Sequence, residues 1–406
     1  MKIGIHITGL GQSFVNESVE KYAERLLNEM AQSSHQVAFE KTSENINYGS
    51  DRESTVVTIF RTRAGVKEAV YRLYDFKYDK ILTEKFSKKP ILLKSFFLLL
   101  LALRKFPLLC YRIFSRKNYG HPWQTLYIFG LFLVIALGVL FLLPASISAA
   151  TGLLEEKEFA ANLMAIKKSL RLQGDIPFIS IKALNQLAAF LLPFINLLLL
   201  LVPQANTMIT SLATEFICAN DYIEHGAQRQ LVQGNLELLV DHITEANPNV
   251  MIHLHAYSFG TVMAIDYLFP FGSVPSANAQ KFIDGLVTIG APMEFLDTYY
   301  PGFYTDRNAT METKIKWLNV HSVVDPLATN FRRDNKAAEA QFGVPGTRLK
   351  PTNLNYEVVK LSRYGLWSFL FLNSIKVHGM YWDSQSDGLS CLRLVHNKMT
   401  EEGMVG

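Results

Sequence analysis

Charge is scarce in this chain. Asp, Glu, Lys and Arg make up 19% of its 406 residues, against 49% hydrophobic residues. So low a charged share is unusual for a wholly water-solvated protein and predicts that part of the chain sits in lipid. The formal net charge is only +4. No aromatic–basic interleaving or nucleic-acid motif accompanies it, so nucleic acid is not an expected partner. Cysteine is rare as well: Cys110, Cys218 and Cys391 are odd in number, scattered and without metal-ligand spacing. Neither a disulfide framework nor a metal site is expected from them, no cofactor is implied, and a reducing compartment fits. Internal repeats and low-complexity tracts are missing. The opening MKIGIHITGLGQ has too short an apolar run for a signal peptide and reads as a strand entering a glycine-containing loop.

What is present falls into three blocks: residues 1–84, 85–214 and 215–406. In the first, residues 2–8 form a strand candidate. A helical pattern follows from Asn16-Glu17-Ser18 to about Gln32, with Val19, Tyr22, Ala23, Leu26, Leu27 and Met30 at three- and four-residue steps. Residues 36–40 and 55–60 are strand-like, and the polar NINYGSDRES between them reads as a surface connection. The second block opens with nine Lys or Arg against one carboxylate between Glu84 and Lys117. The short apolar run at 95–103, closely flanked by Lys94, Arg104 and Lys105, predicts an interfacial segment within a basic stretch at 85–120. Two charge-free runs follow, 125–154 and 183–214, the second containing Pro193, Asn196 and Pro203. Each exceeds the roughly 20 residues that cross a bilayer core, so spans are expected at about 125–149 and 186–208. An even number of spans keeps the flanking blocks on one side, and the basic stretch places that side in the cytoplasm.

The third block returns to a soluble pattern. A helix candidate at 222–246 is followed by the strand VMIHLHA and the serine-bearing AYSFG, then by a helix ending near Pro270. KFIDGLVTIGAP and KIKWLNVHSVVD add two buried-strand candidates. Apolar strands alternating with helices predict an α/β fold, a mostly parallel sheet with helices on both faces. Ser258 lies at a strand-to-helix junction, with the small residues Ala256 and Gly260 two positions to either side. A strained nucleophile turn requires that smallness, since neighbouring backbone packs against it, and the helix starting at Phe259 aims its first amides at any developing oxyanion.

Four stretches resemble the α/β-hydrolase family, and within it the lipases and esterases. AYSFG is similar to the nucleophile elbow, with Ala in place of the more usual Gly. LVTIGAP (286–292) resembles the next strand and turn, WLNVHSVVDP (317–326) the strand ending in the acid, and VHGMYWD (377–383) the loop with the catalytic histidine. The resemblance implies a catalytic triad of Ser258, Asp325 and His378 in the family's chain order, with the membrane hairpin as an insertion into the core. It implies an oxyanion hole from the backbone amides of Phe259 and Leu10, the latter in HITGLG. Tyr257, Tyr381 and Trp382 are candidates for lining an acyl site, while the aromatic pair Tyr381-Trp382 reads also as core. The activity implied is hydrolysis of carboxylic esters, most readily in lipids, with a thioester or a non-catalytic hydrolase-like scaffold as alternatives.

The residues alone leave competitors standing. Ser258 reads also as a loop serine, Asp325 as a turn cap before Pro326, His396 as a rival base and Asp383 as a rival acid that breaks the chain order. His253 and His255 alternate on the strand entering the elbow and read as packed neighbours. His321, on an apolar strand, reads as structural.

Overall fold

The computed structural model describes residues 1–10, 18–32, 37–78, 81–83, 86, 91–114, 130, 217–325, 327–334, 336–357, 377–383 and 388–405. Both expected spans, 125–149 and 186–208, lie outside the described residues. Two compact units emerge. One comprises residues 1–84, 107–126 and 218–406 and holds a single eight-stranded sheet; the other comprises 85–106 and 127–217.

The strands are β1 (Lys2–Ile7), β2 (Ala38–Gly49), β3 (Arg52–Arg63), β4 (Val66–Asp75), β5 (Ile252–Tyr257), β6 (Ile283–Ile289), β7 (Lys316–His321) and β8 (Thr352–Asn355). Their order across the sheet is β2-β3-β4-β1-β5-β6-β7-β8. From β4 through β1 to β8 every pairing is parallel, while β2, β3 and β4 form an antiparallel meander at one side. The protein is thus an α/β protein with a mostly parallel sheet. The polar stretch 45–54, expected to be a surface connection, is instead the tip of the β2–β3 hairpin. Asn45 pairs with Thr55 and Asn47 with Glu53, around a turn at Ser50-Asp51.

The helices are α1 (Val19–Gln32), α2 (Ile91–Phe114), α3 (Ala227–Ala246), α4 (Phe259–Leu268), α5 (Ala277–Phe282), α6 (Met293–Tyr299) and α7 (Leu392–Glu401), with a π-helical turn at Asp221–His225 before α3. Period-2 alternation sends Ile3, Ile5, Ile7, Ile252, Leu254 and Leu286 to one face of the sheet, all fully buried. The other face packs Val57, Ile59, Tyr71, Leu73, Tyr257, Val287, Ile289, Leu318 and Val320 with α1 and α7. Burial on both faces is why β1, β5 and β6 read as near-continuous apolar runs.

In α2, Leu98, Ala102 and Leu109 are buried, while Leu100, Leu103 and Tyr111 are exposed. Lys94, Arg104, Lys105 and Arg112 break up its apolar character. Among the described residues, no helix is long and apolar enough to cross a membrane.

The strand leading to Ser258 carries a buried polar chain. Tyr22 Oη lies 2.9 Å from His255 Nδ1, and Tyr71 Oη lies 2.7 Å from His255 Nε2 and 2.9 Å from His253 Nδ1. His253 Nε2 then approaches Asp284 Oδ1 at 3.4 Å. Burial pushes the Asp284 carboxyl up, but His253, Lys2 and Lys314 outweigh it and hold the group below its usual range. An ionised Asp284 fixes the direction of the chain. Its charge favours the tautomer with the proton on His253 Nε2, although no aligned hydrogen bond joins the two; Tyr71 then donates to His253, His255 donates from Nε2 to Tyr71, and Tyr22 donates to His255. Gly4 and Gly285 on the flanking strands make the room. A methyl at Gly4 would stand 3.0 Å from His255 Cδ2, and one at Gly285 2.6 Å from His253 Cδ2.

Burial, helped by His253 and His6, pulls the His255 imidazole well below its ordinary value, and burial pulls His321 down to about 4. Below about pH 6.5 the unfolded chain therefore binds protons that the folded one refuses. Stability should fall as pH drops from about 6.5 towards 4, by up to about 3 kcal/mol for His321 alone. Denaturant unfolding at a series of pH values checks this: His321→Gln should flatten the slope, and a midpoint constant across the window would contradict it.

Candidate active site

The C-terminal ends of the parallel strands collect the candidate residues. β5 ends at Tyr257 and α4 begins at Phe259, leaving Ser258 alone to turn the chain at φ 51°, ψ −123°. A positive φ at a residue with a side chain is strained, typically by about 1–3 kcal/mol. Neighbouring backbone enforces it: a methyl on Gly260 would overlap the carbonyl oxygens of Ile7 and Thr8. The first turn of α4 therefore lies directly on the end of β1. Ser258 N donates to Ile289 O at 2.9 Å, and Ser258 O accepts from Thr261 N at 3.0 Å and Thr261 Oγ1 at 2.7 Å. Ala256, also beside β1 in register with Ile7, is buried without strain.

His378 joins the serine to the acid. Its Nε2 lies 2.8 Å from Ser258 Oγ and its Nδ1 lies 2.8 Å from Asp325 Oδ2. An ionised Asp325 makes Nδ1 the protonated nitrogen and leaves the Nε2 lone pair facing the serine hydroxyl. Asp325 is fully buried, and three donors serve its carboxylate: His378 Nδ1 and Tyr381 Oη on Oδ2, the latter at 2.7 Å, and Leu327 N on Oδ1 at 2.9 Å. Burial first, and Asp325 second, push the Tyr381 phenol well above its ordinary value, so it stays a donor across the working pH range.

The imidazole is gripped through its loop. Tyr257 stacks on it at 5.4 Å between ring centroids and 21° between planes, and its hydroxyl donates to His378 O at 2.6 Å. Gly290, at φ 61° after β6, leaves the ring its space, since a methyl there would sit 3.0 Å from His378 Cε1. Arg25 of α1 donates to Asp383 O at 2.7 Å and lies over Trp382, which packs edge-on against Tyr257.

Ser258, His378 and Asp325, the residues that the family resemblance points to, thus meet in one hydrogen-bonded chain. For Tyr257, Tyr381 and Trp382 the expectation is an acyl site, with core packing as the alternative for the pair Tyr381-Trp382. The structure buries all three behind the histidine, two of them with hydroxyls on the histidine loop and on the acid. Phe259 supplies the first amide of α4, and Leu10 is the last described residue of the loop after β1. Of the competitors, His396 lies on α7, and Asp383 packs its side chain against Gly388. Gly290 was visible inside LVTIGAP, where a glycine between an apolar run and Ala-Pro marks a sharp turn. Glu357, which binds the turn before Asp325, carried no sequence signal.

The fold and site define a class: an α/β protein whose parallel sheet presents a Ser–His–Asp hydrogen-bonded chain at its carboxyl edge. Comparisons with protein-family models, curated proteins and solved structures each return no match.

The strained turn makes an inverted substitution pattern the expected outcome. Gly is ordinarily about 0.5–1 kcal/mol less favourable than Ala in folded segments. At position 258 both substitutions remove the hydroxyl, but only glycine relieves the positive φ. Ser258→Gly should therefore unfold at higher denaturant than Ser258→Ala, by about 1 kcal/mol. The opposite order would mean the turn is unstrained.

Proposed function

We propose that the protein is a membrane-anchored serine hydrolase of the α/β-hydrolase type, similar to lipases and esterases, that cleaves carboxylic esters through an acyl-enzyme. The observation that carries this reading is the unbroken chain Ser258 Oγ–His378 Nε2 and His378 Nδ1–Asp325 Oδ2, 2.8 Å at each step, at the strained turn.

The chemistry follows from the protonation states. Ser258 Oγ attacks the acyl carbonyl as its proton passes to His378 Nε2, and Asp325, remaining ionised, steadies the imidazolium. The oxyanion accepts from the amide of Phe259, at the positive end of α4, and in this reading from that of Leu10. Collapse expels the alkoxide, which takes the proton from His378. Water then repeats the sequence on the acyl-serine and restores the enzyme. One oxyanion donor is typically worth about 3–4 kcal/mol of transition-state stabilisation.

Lipid esters suit the rest of the chain. The two charge-free runs would hold the hydrolase domain at the cytoplasmic face of a membrane, and the basic stretch 85–120 favours anionic headgroups by about 1 kcal/mol per Lys or Arg near the surface. The exposed Leu100, Leu103 and Tyr111 of α2 support an interfacial role for that segment. A thioester would suit the same triad.

p-Nitrophenyl esters of increasing acyl length, presented to detergent-purified protein, test the reading. Wild type should release a burst of nitrophenol stoichiometric with enzyme. Ser258→Ala and Asp325→Asn should each lower turnover by about 10³-fold or more. Equal turnover by wild type and Ser258→Ala would end the hydrolase reading and leave a scaffold.

A further inference from the structure

The acid of the triad stands on a turn, not on a strand. Residues Ser322 to Asp325 leave the end of β7, and a carboxylate on such a turn is only as well placed as the turn's backbone. Within the turn, Asp325 N donates to Ser322 O at 3.1 Å and Val324 N to Ser322 Oγ at 3.3 Å. Those contacts shape the turn without fixing it to the sheet.

Glu357 supplies a fixed point. Tyr356 N donates to His321 O at 2.9 Å, continuing the pairing of β8 with β7 one step past the last strand residue and delivering the next side chain over the turn. Glu357 Oε2 accepts from Ser322 Oγ at 2.8 Å, and Oε1 accepts from Val323 N at 2.6 Å. Both carboxylate oxygens are thus committed to two consecutive residues of one turn, and among the described residues Glu357 makes no ion pair. Charge-assisted bonds to a backbone amide and a hydroxyl are roughly twice as strong as neutral ones. From the opposite side Ser322 N donates to Tyr381 Oη at 3.3 Å, the same hydroxyl that donates to Asp325.

We propose that Glu357 is a positioning residue for the triad: it clamps the Ser322–Val323 backbone, and through it sets Asp325 against His378. The proposal rests on the serine-hydrolase reading and deepens it. Glu357 touches no reacting atom. Its loss lets the turn move and lengthens the Asp325–His378 bond, and a misplacement of about 1 Å at such a distance costs up to about 10²-fold in rate.

The test uses the full-length protein in detergent and a fluorophosphonate, which phosphonylates Ser258 as fluoride leaves and the serine proton passes to His378. The maximal labelling rate and the half-saturating probe concentration are measured separately. Glu357→Ala should lower the maximal rate about tenfold with half-saturation unchanged. Glu357→Gln, which keeps an acceptor for Val323 N and a partner for the Ser322 hydroxyl, should stay within about threefold of wild type. In an Asp325→Asn background, Glu357→Ala should change the rate by less than about twofold, since the residue it positions is already disabled. The same tenfold loss in both backgrounds would overturn the proposal by revealing general loosening, and unchanged labelling in Glu357→Ala would overturn it directly. Absent labelling of folded wild type would overturn the hydrolase reading itself, and this proposal with it.

Discussion

The site depends on one close approach. Gly260, in the first turn of α4, lies so near the carbonyl oxygens of Ile7 and Thr8 that no side chain fits between them. With the helix start pressed onto the end of β1, the single residue joining β5 to α4 must reverse the chain, and Ser258 does so at a positive φ. The turn lifts the hydroxyl clear of the sheet, holds it against His378 and aims the first amides of α4 past it. Stability is given up locally and recovered from the fully buried strands to either side, a distribution expected where strain serves chemistry.

Each strand beyond the elbow adds one element at the same edge. β5 delivers Ser258, β6 ends in Gly290 beside the imidazole, β7 leads to Asp325, and β8 leads to Glu357 under the acid's turn. Sites at the carboxyl ends of parallel strands follow from this geometry, because successive strands release their loops on one side of the sheet. Aromatic residues complete the support: Tyr257 on the histidine, Tyr381 on the acid, and Trp382 between Tyr257 and Arg25. Beneath the elbow, the hydroxyls of Tyr22 and Tyr71 partner ring nitrogens of His253 and His255 that would otherwise be costly inside a sheet.

The strands that carry the site were legible because they are buried on both faces: β1, β5, β6 and β7 each show as an apolar run ended by Gly, Pro or a polar turn. The meander was legible only in part. β2 is largely exposed along its length, so its far half read as a loop, and β4 mixes Lys67, Glu68, Arg72 and Asp75 with its apolar residues. β8 is four residues of Thr, Asn and Leu, too short and too polar to announce a strand. At the site, residue type and chain order pointed to Ser258, Asp325 and His378, whose proximity is a property of the topology. The work of Tyr381 and Glu357 was hidden for the opposite reason, and Gly290 showed as a turn residue but not as the neighbour of the imidazole. A phenol on a buried acid, a missing methyl beside a ring and a carboxylate under a turn are defined by contacts between residues far apart in sequence.

The central claim is that Ser258 is an activated nucleophile. It is tested most directly by reacting detergent-purified protein with a fluorophosphonate and locating the adduct by peptide mass spectrometry, with Ser258→Ala alongside. The account predicts a single stoichiometric adduct on Ser258 and none in the variant. A folded wild-type protein that stays unmodified, or an adduct that persists when Ser258 is replaced, would contradict it.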